Sequence, residues 1–295
     1  MSSLAVGVRS WASMVKLSHS VFALPFAFSG AALAAAEGGM RWGQLLWIVV
    51  AMVAARNAAM GFNRLVDHGI DARNPRTRDR ELPRGELSRS AVWGFTVSLS
   101  LLFVLASAML NPLCGMLSPL ALLIVFGYSF TKRFTSMSHL VLGLALAIAP
   151  VGGWVAVRGS FSTAAWLLGA AVLLWVAGFD VIYACQDVEF DRREGLRSIP
   201  ARFGVGGALW IARGLHVAAV ALLSGVGLAV GLHPIYWIGC TIIALLLIWE
   251  HRLVRADDLS RLDAAFFNMN GIISMIYMVS ILAALLLPRL LEQGS

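Results

Sequence analysis

The sequence predicts an all-α polytopic membrane protein with about nine transmembrane helices. Three observations predict it. The 295-residue chain is 59% hydrophobic and only 13% charged, with a mean hydropathy of +0.79, whereas a soluble domain is nearer a quarter charged. Its apolar residues gather in runs of about 20, the length that crosses a bilayer as a helix. Its basic residues alternate between loops: 17 of the 23 Lys and Arg fall in one set of loops, three (Arg41, Arg158 and Arg289) in the other, and three (Arg56, Arg64 and Arg213) inside the runs. Such an asymmetry places the richer loops in the cytoplasm.

The runs cover about 17–36, 44–66, 90–110, 113–130, 138–157, 163–186, 207–231, 234–251 and 264–288. Gly and Pro recur inside them, which membrane helices tolerate. No small-residue cleavage site follows a short apolar core near the start, so the first run is expected to be retained. No Pro/Gly/Ser-rich linker divides the chain, and residues 1–295 are expected to form one domain. The N-terminus and the charged loops are placed in the cytoplasm and the C-terminus outside. The net charge of +7 therefore reflects topology, and nucleic acid is not an expected partner. Cys114, Cys185 and Cys240 are far apart and lie in or beside apolar runs, so they read as packing residues with no metal spacing.

Two charged loops stand out. The second run leads into NRLVDHGID, residues 63–71, followed by ARNPRTRDRELPRG. Asn63, Asp67 and Asp71 recur at i, i+4 and i+8, which puts them on one helix face. The sixth run ends in DVIYACQDVEFDRREG, where Asp187 and Asp191 repeat the i, i+4 spacing. Asp180 lies seven residues earlier on about the same face, and Tyr183 lies between. Like charges one turn apart repel, and ionisable groups near membrane depth are costly and usually functional, so a cation should compensate them. Carboxylates with one amide form an all-oxygen set that suits Mg2+, which is usually shared with substrate phosphates.

The neighbouring cations suit a diphosphate ester. Arg64, Arg73, Arg76, Arg80, Lys132 and Arg133 are candidate clamp residues, although the arginines from Arg73 to Arg89 also fit plain positive-inside charge. Tyr128 sits one turn before Lys132, either as an interfacial aromatic or as a hydrogen-bond donor to the diphosphate. Lys16 and His19 open the first run, either as interfacial anchors or as recognition groups for a small acidic or phenolic acceptor. His68 reads as a loop-facing neighbour of Asp67.

At these residues the chain resembles the UbiA superfamily of intramembrane prenyltransferases. The resemblance spans nearly the whole chain: the first motif NxxxDxxxD as Asn63, Asp67 and Asp71, the second motif DxxxD as Asp187 and Asp191, RTRDRELPRG after the first motif with Glu81 where the family usually has proline, and YSFTKRFT after the fourth run. VKLSHSVFALPFAFSG and the stretch after Gly178 are most similar to bacterial 4-hydroxybenzoate polyprenyltransferases and to related enzymes that prenylate a dihydroxynaphthoate for menaquinone. The resemblance implies helices around a central cavity, cytoplasmic cap loops, a bacterial inner-membrane location and a mouth facing the cytoplasm. It implies a polyprenyl diphosphate donor, an aromatic acid acceptor, contact with membrane lipid, and two Mg2+ ions held by Asn63, Asp67, Asp71, Asp187 and Asp191. Asp180 and Tyr183 are then candidates to orient the acceptor or take its proton. An ion-coupled transporter would place acids at mid-membrane in inverted halves, whereas these acids cluster toward one face. A non-catalytic lipid-binding protein would not need both aspartate pairs.

Overall fold

The computed structural model describes residues 10–14, 17–259, 262 and 269–293, with side chains from residue 24 in the first long helix and as far as 291 in the last. Among the described residues, nine long helices occupy the expected positions: α1 (Leu17–Gly38), α2 (Trp42–Arg73), α3 (Arg89–Leu110), α4 (Pro112–Thr131), α5 (Ser138–Arg158), α6 (Thr163–Ala184), α7 (Ile199–Val230), α8 (Ile235–Leu253) and α9 (Asn270–Gln293). Eight of them, α2 through α9, are long and apolar enough to cross a membrane; α1 has 22 residues, also a spanning length.

The helices begin and end for local reasons. Ser88, Asn111, Ser162 and Ser198 cap α3, α4, α6 and α7, each accepting a hydrogen bond from an N–H of the first turn, which satisfies donors that the helix cannot. Gly159 and Gly231 end α5 and α7 in the left-handed conformation that glycine adopts without a Cβ penalty.

Consecutive helices pack on one another from α2 through α9, α9 returns to α1, and α1 also lies along α5. The α1–α5 contact depends on small residues. A Cβ at Gly30 would overlap the Pro150 carbonyl, and one at Gly153 would overlap the Ala27 carbonyl, so the two backbones touch where neither could carry a larger residue. The main apolar core joins α1, α5, α6, α7, α8 and α9 through Phe26, Trp154, Trp175, Leu223, Tyr236 and Tyr277.

The two ends of the bundle differ in chemistry. At one end Arg158 pairs with Glu37 at 3.7 Å, and Gln44 and Asn111 donate to carbonyls at the end of α5. At the other end lie the loops 74–88, 132–137 and 185–198. The last two are tied together: Arg197 N donates to Lys132 O at 2.7 Å, and Arg197 Nη1 to Phe134 O at 2.8 Å.

Three elements depart from the sequence reading. Helix α2 runs on past 66 to Arg73, so Asp67 and Asp71 are both helical. Helix α7 begins at Ile199 rather than near 207, because Ser198 caps it and Pro200 occupies its first turn; the chain then kinks at Gly204, whose φ of 73° only glycine adopts readily. The second DxxxD motif is not carried by one continuous helix. Helix α6 stops at Ala184, a 3₁₀ turn spans Cys185–Asp187, and a separate short helix covers Val188–Arg193. The tightening begins at the end of α6, where the Cys185 N–H is shared between the carbonyls of Ile182 and Tyr183, a common way for a last turn to become 3₁₀.

Candidate active site

The end of α2 presents its acids inward. Asp67 and Asp71 are only 3% and 4% exposed. A buried carboxylate without a partner costs several kcal/mol, and each of these has one. Lys132 Nζ lies 2.6 Å from Asp67 Oδ2, and Arg133 Nη2 lies 3.6 Å from Asp67 Oδ1 while donating to the Val66 carbonyl at 2.8 Å. Asn63 Nδ2 donates to Asp67 Oδ2 at 3.1 Å. Arg80 Nη1 bridges both oxygens of Asp71 at 2.8 Å. The cations come from loops that close over the end of α2, so the like charges one turn apart are neutralised from outside the helix, as their spacing demands.

The second motif is held from the first. Arg76 forks onto Asp187, with Nε 3.0 Å from Oδ1 and Nη2 bonded to Oδ2. Its third nitrogen donates to the Tyr183 hydroxyl at 3.2 Å. Burial is the largest single influence on Arg76 and works against its charge, but the hydrogen bond to Asp187 and the charges of Asp187, Tyr183 and Asp71 together outweigh it, and the guanidinium pKa is raised. Asn74 also donates to Asp187, at 3.2 Å, and its own side-chain oxygen accepts from Arg76 N at 2.9 Å, the side-chain turn that aspartate and asparagine favour. Further out, Arg73 pairs with Glu194 at 2.8 Å. Asp191 accepts from the Ser198 hydroxyl at 2.7 Å.

These contacts gather both motifs at one mouth. Arg76 lies within electrostatic reach of Asp71 as well as Asp187, and Lys132 within reach of Asp191 as well as Asp67. Tyr128 lies within reach of both Asp67 and Asp180. Asp180 is bonded to His139 at 2.6 Å. Beside Val66 an open cleft lies between α2 and the 185–198 loop, lined by Gly69, Arg73, Arg133, Glu194 and Gly195.

The candidates do not all stand alike. Arg64 is 4% exposed, its Nε has no hydrogen-bond partner, and it lies within electrostatic reach of Asp71, Glu81 and Asp67. Arg73 is largely exposed and spent on Glu194. His68 leaves Nδ1 buried without a partner and is not simply solvated. Lys16 and the side chain of His19 lie outside the described residues. Sequence reasoning missed Asn74, Ser198 and Glu194, which touch a motif residue or an arginine beside it, and His139, which touches Asp180. It also counted Arg56 among the helix arginines without a role. Arg56 stands seven residues before Asn63, hence on the same face of α2 and two turns deeper.

The donor set fits a hard divalent cation. It is all oxygen, and Asp67 Oδ1, though buried, accepts no hydrogen bond. Among the described residues no three His, Cys, Asp or Glu side chains converge as a metal cluster: each carboxylate of the motifs is turned to its own donor.

Fold and site together define a polytopic membrane protein with a carboxylate- and arginine-lined mouth at one end of its helical bundle. The chain belongs to the UbiA prenyltransferase family, whose model matches residues 23–272. It is similar to the 4-hydroxybenzoate octaprenyltransferase of Nitrosospira multiformis, 33% identical over 243 residues that cover 82% of this chain and 83% of that one. Among solved structures, the apo form of a UbiA homologue from Aeropyrum pernix K1 is 36% identical with a TM-score of 0.82, covering 90% of this chain and 97% of that one. A UbiA homologue from Archaeoglobus fulgidus bound to DMAPP and Mg2+ shares the fold at 21% identity, with a TM-score of 0.75 over 94% of this chain and 99% of that one.

Proposed function

We propose that the protein is an integral-membrane aromatic prenyltransferase that moves a polyprenyl group from its diphosphate to an aromatic acid of the 4-hydroxybenzoate type in quinone biosynthesis. The observation that carries this reading is the cross-bracing of the two aspartate motifs, with Lys132 on Asp67 and Arg76 on Asp187. A mouth that interleaves buried carboxylates with a fork of guanidinium groups suits a highly charged anion delivered with its cation. Similarity to a 4-hydroxybenzoate octaprenyltransferase supports the acceptor class; prenylation of a dihydroxynaphthoate is the alternative.

In this reading the chain acts as one domain in a bacterial inner membrane, with the mouth in the cytoplasm. Asp67, Asp71, Asp187, Asp191 and the amide oxygen of Asn63 would hold Mg2+, two ions by the family resemblance. Bound there, Mg2+ supplies positive charge that stabilises the diphosphate as it leaves. Arg76, Arg80, Lys132 and Arg133 exchange their carboxylate partners for diphosphate oxygens, which charge-assisted hydrogen bonds favour. Arg64 supports the acids from below. Tyr128 and Tyr183 face the same mouth and orient the reacting groups. Asp180 accepts the proton that the acceptor ring loses. The apolar helices keep water away from the allylic cation and take up the prenyl tail, each buried CH₂ contributing about 0.8 kcal/mol.

The test is direct. Purified protein in lipid nanodiscs receives radiolabelled polyprenyl diphosphate, Mg2+ and either 4-hydroxybenzoate or a dihydroxynaphthoate. The expected result is label in a lipid-soluble aromatic product with diphosphate released. Label in neither acceptor overturns the acceptor class, and no diphosphate release overturns the enzyme reading.

A further inference from the structure

Asp180 has a partner that no sequence spacing indicates. His139, the second residue of α5, is 3% exposed. Its Nε2 lies 3.3 Å from the backbone nitrogen of Ile199. A backbone N–H can only donate, so Nε2 accepts and carries no proton. The imidazole proton therefore sits on Nδ1, which lies 2.6 Å from Asp180 Oδ2 and donates to it. The second nitrogen of a histidine commonly sets the tautomer of the first in this way. Asp180 is thus gripped through one oxygen, no hydrogen bond reaches its Oδ1 among the described residues, and 19% of its side chain stays exposed.

The brace reaches further. Ile199 is the first residue of α7, and Ser198, which caps that helix, donates to Asp191. The start of one helix therefore positions Asp180 through His139 and Asp191 through Ser198.

We propose that His139 is a positioning residue: it fixes the Asp180 carboxylate so that the free Oδ1 receives the ring proton released on prenylation. The proposal rests on the prenyltransferase reading above. In that step the bond between prenyl C1 and the diphosphate oxygen breaks, and its electron pair leaves with the diphosphate. The ring carbon ortho to the hydroxyl forms a bond to C1. The ring C–H bond then breaks, its electrons restore aromaticity, and the proton passes to Asp180 Oδ1. His139 keeps its own proton throughout and bonds Oδ2 before and after. A carboxylate free to rotate would spend little time aligned with the ring hydrogen, and a misplacement of about 1 Å can cost a hundredfold in rate.

The experiment uses full-length protein in nanodiscs with Mg2+, radiolabelled geranyl diphosphate and 4-hydroxybenzoate. His139→Ala is expected to lower kcat by about a hundredfold and to leave the KM for geranyl diphosphate unchanged within about twofold. His139→Gln, whose amide still donates an N–H, recovers most of kcat. Asp180→Asn should be at least as impaired as His139→Ala, and the double variant no worse than Asp180→Asn alone, because coupled residues are not additive. His139→Met fills the same space without a donor and carries the comparison if the alanine variant does not accumulate. Unchanged kcat in the donor-less variants, equal losses in kcat and donor affinity, or multiplying losses in the double variant would each overturn the positioning role. Absence of product from the wild-type protein with both 4-hydroxybenzoate and a dihydroxynaphthoate, and with no diphosphate released, would instead overturn the prenyltransferase reading.

Discussion

Lys132 Nζ lies 2.6 Å from Asp67 Oδ2, joining the end of α4 to the first aspartate motif across 65 residues of sequence. The pair is buried on the acid side, where Asp67 is 3% exposed, and half-open on the lysine side. Removing the lysine alone leaves a buried carboxylate with a weaker partner. Lys132→Met is therefore expected to lower thermal stability by about 1–3 kcal/mol, and added Mg2+ to recover part of the loss as the cation replaces the ammonium. A melting temperature indifferent to Mg2+ in this variant would mean that Asp67 does not hold the metal.

Asp67→Ala and Asp191→Ala are expected to insert and purify normally yet to turn over at less than about a tenth of the wild-type rate in excess Mg2+, since a lost ligand removes several kcal/mol of charge stabilisation. Near-normal turnover of either variant would count against metal-assisted departure of the diphosphate. Chelation with EDTA should likewise stop the reaction, with Mg2+ or Mn2+ restoring it.

Arg76 is the link between the motifs. Arg76→Ala is expected to raise the KM for the prenyl diphosphate by about 10- to 100-fold, the worth of hydrogen bonds to a charged group. Arg76→Lys should recover little, because an ammonium cannot reproduce the two parallel bonds of a guanidinium fork. Full recovery by lysine would show that only charge matters at this position.

The acceptor carboxylate needs a cation of its own. Lys16, which precedes Leu17 in the sequence, and Arg56, two turns below Asn63 on the same face of α2, are the two candidates. Alanine at the one that binds it is expected to raise the acceptor KM with little effect on the donor KM, the pattern of lost ground-state binding. Equal losses for both substrates would assign the residue to structure instead.

The orientation can be read by chemical labelling. Arg84→Cys and Arg193→Cys lie at exposed positions in the 74–88 loop and the short helix, and both should react with a membrane-impermeant thiol reagent only from the cytoplasmic side, given the excess of Lys and Arg there. The natural cysteines, of which Cys185 and Cys240 are buried, serve as the background. Reaction of either site from outside would invert the topology.

Much of this protein is written locally. The long apolar runs, the basic loops and the i, i+4, i+8 spacing of Asn63, Asp67 and Asp71 are all set within a few residues, because helix periodicity and bilayer thickness act over that range. They determined the helices, the distinct ends of the bundle and the presence of two acidic motifs. Local spacing was less reliable at Asp187 and Asp191, where the end of α6 tightens into a 3₁₀ turn and a new helix begins. Which cation meets which acid had no local signature. Arg76 reaches Asp187 across 111 residues, and His139 reaches Asp180 across 41. Only the packing of α2, α4, α5 and α6 brings these groups together, because the apolar burial between helices offsets the cost of closing the loops and desolvating the charges at one mouth, and no run of neighbouring residues encodes that.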